Sequence, residues 1–138
     1  MSYDLERFVG AQEPVYEKAL SELRAGQKES HWMWFVFPQI AGLGDTEKSR
    51  LHSIQSLDEA RAYLAHPVLG PRLLECAQVV LATRSRSADQ ILGSLDAMKL
   101  RSSMTLFQRA APDEPLFQHV LDRYFSGIPD SATEAKLA

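Results

Sequence analysis

The run Ser30-His31-Trp32-Met33-Trp34-Phe35-Val36-Phe37-Pro38-Gln39 constrains this chain more than any other stretch. It holds both tryptophans, two of the six phenylalanines and one of the four histidines. Each Trp or Phe removes a large apolar area from water when covered, so a stable fold must bury most of the segment. Its polar flanks, Lys28, Glu29, Ser30, His31 and Gln39, are then drawn to the rim of a core, where a cleft can form. The apolar run Trp32 to Phe37 fits a buried strand or a buried helical turn. Ser30 is a candidate N-cap, no partner strand is evident, and Pro38 forbids a regular helix beyond it. A short buried helix of about two turns is therefore expected.

Around this stretch the chain is punctuated for helices, and period-two alternation is scarce. Asp4 caps an opening turn that faces Leu5, Phe8 and Val9 inward. Pro14 opens a helix with Tyr16, Ala19, Leu20 and Leu23 on one face, and Gly26 suits its left-handed stop. A turn-rich loop at residues 40–45 precedes a short helix expected around residues 46–53. Ser56 and Glu59 have capping-box spacing before a stripe of Leu57, Ala60 and Leu64 that ends at His66-Pro67. After Gly70-Pro71 the stripe is Leu74, Ala77, Val80 and Leu81, with Cys76 on the same apolar helix. A turn through Ile91 and Leu92 ends at Gly93. Asp96 is then the expected cap of the most regular stripe, Ala97, Leu100, Met104, Phe107 and Ala111. Pro115 opens a last helix through Phe117, Val120, Leu121 and Tyr124. The expectation is an all-α domain of six to eight short helices over residues 1–126, with a loosely ordered tail at 127–138.

Composition narrows the function classes. A net charge of −3 over 138 residues argues against general affinity for nucleic acid or anionic membrane. No apolar run is long enough to span a bilayer, and the opening residues lack signal-peptide layout. The single cysteine allows no internal disulfide and points to a reducing, cytoplasmic setting. The sequence carries no signal for oligomeric state.

Few residues are arranged for chemistry. His31, His52, His66 and His119 have no metal-ligand spacing, so no metal is expected, and no cofactor motif is present. Residues 42–49 resemble a phosphate loop only faintly, because glycine and lysine are not adjacent and no strand precedes them. Cys76 has no basic helical neighbour to activate it and reads as core. Two places remain, the edges of the aromatic stretch and the helix from Asp96. Lys99 and Ser103 lie four apart, the spacing of a Ser–Lys nucleophile pair, but no oxyanion hole or orienting group accompanies them. Anion binding by Lys99, Arg101 and the nearby hydroxyls needs less geometry. Trp32 or Trp34 would stack a ring beside that anion if either is not plain core. The candidate ligand-binding residues are thus His31, Trp32, Trp34, Gln39, Lys99, Arg101 and Ser103, facing an anionic, nucleotide-like small molecule. The competing reading is a helical protein–protein interaction module without catalysis.

The aromatic motif, Gly42-Leu43-Gly44, Ser56-Leu57-Asp58-Glu59-Ala60, Tyr63-Leu64, His66-Pro67, Leu69-Gly70 and residues 96–107 resemble the bacterial family catalogued as domain of unknown function 1810. The resemblance covers the chain to about Phe125 and implies a compact helical fold. It brings no activity, substrate or catalytic residue to carry over. Some members bear a calpastatin-like label, yet such an inhibitor is a disordered polar chain and this sequence has a core.

Overall fold

The computed structural model describes residues 3–43 and 51–137. Among them are nine helices: α1 Glu6–Gln12, α2 Tyr16–Arg24, α3 Met33–Val36, α4 Leu57–Ala65, α5 Leu69–Ala82, α6 Ala88–Leu92, α7 Ser94–Ala110, α8 Pro115–Phe125 and α9 Ser131–Leu137. The architecture is all-α, with more helices than the six to eight expected. The only β pairing among the described residues is an isolated parallel bridge between Ile40 and Ile54. Most of the helix expected at residues 46–53 and of the loop at 42–49 lies outside the described residues.

The aromatic stretch makes a helical turn, but one of four residues. Trp32 occupies the N-cap position instead of Ser30, and Ser30 turns its hydroxyl to Glu22. Trp32, Met33, Val36 and Phe37 are all buried. Past Pro38 the chain becomes extended, and the Gln39 carbonyl accepts from Ile54 N–H at 2.8 Å.

Helix α7 is the centre of the molecule. Ala97, Leu100, Met104 and Phe107 face the core as their spacing predicts, whereas Ala111 is the half-buried C-cap. Ser102, Ser103, Thr105 and Leu106 are buried too, because α4, α6, α8 and α9 all pack on α7. The side opposite the stripe is therefore largely covered. In α5 the buried set is Leu69, Gly70, Leu73, Cys76, Ala77 and Val80, leaving Leu74 and Leu81 partly exposed. The spacing was right and the phase rotated, since both faces of that helix are apolar.

Capping shows similar local substitutions. Ser56 accepts from Glu59 N–H at 3.1 Å as expected, but Glu59 answers the Gln55 N–H at 2.7 Å and pairs with Arg7 at 3.1 Å. A complete capping box occurs instead at Ser87 and Gln90. Gly93 is the N-cap of α7, which places Asp96 inside the first turn instead of at the cap.

The tail also departs from expectation, because residues 131–137 form α9. Asp130 accepts from the Thr133 N–H at 2.9 Å and from its hydroxyl at 2.6 Å, while its own N–H donates to Thr105 Oγ1 at 2.9 Å. Arg109 pairs with Glu134, and Thr133 is fully buried. Polar anchors hold this helix, and a search for large apolar side chains overlooks them.

Where α4 hands over to α5, a Cβ on Gly70 would collide with the Leu64 carbonyl oxygen, a backbone atom that cannot swing aside. Gly70→Ala is expected to cost about 1–3 kcal/mol through this forced separation. Chemical denaturation measures it, and an unchanged midpoint would mean that the two helices part without penalty.

Candidate functional site

Glu22, near the end of α2, organises the approach to the aromatic stretch. Its Oε1 accepts from Glu29 N–H at 2.8 Å, Ser30 N–H at 3.0 Å and Trp32 Nε1 at 2.9 Å. Its Oε2 accepts from Ser30 Oγ at 2.6 Å. Burial alone would raise the carboxyl pKa, but these hydrogen bonds outweigh it and hold Glu22 at about 2. The Lys28 N–H donates to Ile91 O at 2.7 Å, so the same segment is tied to α6.

Gly93 joins α6 directly to α7 at φ +85° and ψ 156°, a conformation that side chains resist. No side chain among the described residues caps α7, whose first N–H groups have no intrahelical acceptor. Beside this junction lies a cleft of about 460 Å³, lined by Lys28, His31, Trp34, Leu92, Gly93, Ser94, Leu95, Asp96 and Lys99. Asp96 pairs with Lys28 Nζ at 2.8 Å through one oxygen and with Lys99 Nζ at 3.2 Å through the other. Lys99 Nζ sits 4.1 Å from the Trp34 ring centroid, a cation–π contact. Lys28 Nζ also donates to Ser30 O at 2.6 Å and lies 5.1 Å from the Trp32 ring centroid.

Of the residues expected to share a pocket, His31, Trp34 and Lys99 line this one cleft. The other four do not. Trp32 is fully buried with its indole N–H on Glu22, so it is core behind the cleft. Gln39 lies beyond the α3 turn, at the pairing with Ile54. Arg101 points to the C-terminal segment, where its Nε donates to Ile128 O at 2.9 Å. Ser103 is fully buried and its Oγ has no hydrogen-bond partner among the described residues, so Lys99 and Ser103 do not form a nucleophile pair.

Lys28, expected only as a flanking polar residue, and Asp96, expected only as a cap, carry much of the cleft's charge. Leu92, Gly93, Ser94 and Leu95 enter through the tight α6–α7 junction, which the spacing around Gly93 did not foretell. Cys76 is core, with its thiol pushed up to about 12, chiefly by burial. Among the described residues, no group of three or more His, Cys, Asp or Glu is placed to hold a metal ion. No helix among them is long and apolar enough to cross a membrane. The cleft brings together lysine charge, the start of α7 and an indole face.

The fold matches a solved structure, that of the conserved hypothetical protein Rv1873 from Mycobacterium tuberculosis. The two chains are 50% identical and superpose with a TM-score of 0.96 over 98% of this chain and 96% of the other. No curated protein matches. The family model described as a protein of unknown function, DUF1810, spans residues 2–137, and the chain belongs to that family.

Proposed function

We propose that this chain binds a small anionic ligand with an apolar or ring-shaped body in the cleft beside the α6–α7 junction. The supporting observation is that Lys28, Lys99, His31 and the Trp34 face converge on the uncapped start of a 17-residue helix. Helix starts and lysines attract anions, while Leu92, Leu95 and Trp34 offer apolar walls.

A thermal-shift panel of nucleotides, sugar phosphates, carboxylates and sulfonates tests this reading. A ligand at a hundred times its dissociation constant stabilises by about 2.7 kcal/mol. Lys99→Ala is expected to abolish the response while moving the unliganded melting temperature by only a few degrees, since its ion pair with Asp96 is partly exposed. An equal response in wild type and variant would remove the cleft from consideration.

A second reading, an interaction module, draws on Leu95 and Met98, which are 74% and 63% exposed on the first turns of α7. It expects Leu95→Asp to abolish partner capture, and no small molecule to raise the melting temperature.

A further inference from the structure

The charge arrangement in the cleft points to a ligand class, and the inference rests on the anion-binding reading above. We propose that the site selects singly charged anions over doubly charged ones, and that Asp96 sets this preference. The charged groups lining the cleft are Lys28, Lys99 and Asp96, with His31 beside them. Two ammonium groups against one carboxylate leave one positive charge when the imidazole is neutral. The partial charge at the start of α7 adds roughly half a unit.

Asp96 cannot be displaced as a loosely held counterion would be. It is fixed in the first turn of α7, and each of its oxygens holds a different lysine. The lysines nevertheless keep donors in reserve. An ammonium has three N–H groups. Lys28 donates one to Ser30 O and pairs with Asp96, while Lys99 pairs with Asp96 and lies over Trp34. A carboxylate or sulfonate head can take these remaining N–H groups and the open N–H groups of α7. Its single charge then balances the cleft. A second negative charge on the same head would have no free cation to meet and would be held close to Asp96. The indole face of Trp34 and the side chains of Leu92 and Leu95 suit the ligand's uncharged body.

Benzenesulfonate and phenyl phosphate form a matched probe pair, with the same ring and a tetrahedral head. At pH 8 the first is a monoanion and the second is largely a dianion. Binding to the full chain is followed by NMR titration, reading the Trp34 indole N–H, with the buried Trp32 indole as internal reference. Wild type is expected to bind benzenesulfonate at least threefold more tightly than phenyl phosphate. Asp96→Asn, which leaves both lysines uncompensated, is expected to shift that ratio at least tenfold toward phenyl phosphate. Tighter binding of phenyl phosphate by wild type overturns the selection yet leaves the anion site standing, and this measurement needs no variant. An unchanged ratio in folded Asp96→Asn overturns the role given to Asp96. Failure of both probes to bind wild type overturns this inference and the anion-binding reading together.

Discussion

Glu22→Ala is expected to destabilise the protein by about 3–5 kcal/mol and to disorganise the cleft at the same time. Truncation removes one acceptor from two backbone N–H groups, the Ser30 hydroxyl and the Trp32 indole N–H. A buried donor left without a partner costs about 1–3 kcal/mol, and Trp32, fully buried, has no water to turn to. The freed segment carries Lys28 and His31 into the cleft, so ligand response should fall together with stability. Urea denaturation and the thermal-shift panel measure the two effects separately. A loss below about 1 kcal/mol would show that the carboxylate is a bystander to the hydrogen bonds it accepts.

The same residue predicts an acid limb in the stability curve. Its folded pKa of about 2 lies below the ordinary glutamate value of about 4.3. A lowered folded pKa means that the stabilisation is fully present above the unfolded value. It is lost as pH falls from about 4 through 2. The amount lost is about 3 kcal/mol. Glu22→Gln keeps the volume and one carbonyl oxygen but has nothing to protonate. It should be less stable than wild type at pH 7, and the gap should close toward pH 2. Parallel stability curves for the two proteins would refute the assignment.

How much of this was legible in the sequence depended on the kind of interaction involved. Apolar spacing revealed α2 and α8 with most of their buried residues, and in α7 the core-facing Ala97, Leu100, Met104 and Phe107, because burial of Leu, Phe and Met follows helical period. It also implied that Trp32 to Phe37 must be covered, and His31, at their edge, does line the cleft. Spacing failed where the interaction was polar and long-range. Nothing at Glu22 distinguishes it from any surface glutamate, yet it is buried against a segment seven to ten residues away. Arg101 sits two residues from Lys99, a separation that sends the two side chains to different sides of α7. Ser103 does share a face with Lys99, but α7 becomes enclosed between them. Helix α9 was missed for the same reason as Glu22, since Asp130, Thr133 and Glu134 hold it by hydrogen bonds and an ion pair.

Phe107→Ala is expected to cost about 3–5 kcal/mol, from lost burial and the cavity left behind. Phe107 is fully buried on α7, with ring centroids 5.4 Å from Tyr63 of α4 and 5.8 Å from Phe117 of α8. It therefore joins three helices, and each ring pair adds a contribution of about 0.5–1.5 kcal/mol beyond area. Collapse of the void is restricted, because Tyr63 is held through its hydroxyl by Gln12 Nε2 at 3.0 Å. Gln12 in turn reaches the Phe35 carbonyl at 2.6 Å and accepts from Arg72 at 3.2 Å. For a chain of this length the loss lowers the melting temperature by about 10–20 °C. Phe107→Leu, which refills most of the space, should recover more than half of it. The cleft lies at the other end of α7, so the folded variant should still respond to the ligand that stabilises wild type. Loss of that response while circular dichroism remains native would mean that core packing around Phe107 sets the geometry of Asp96 and Lys99. An unchanged midpoint would mean that the ring is not a core element at all.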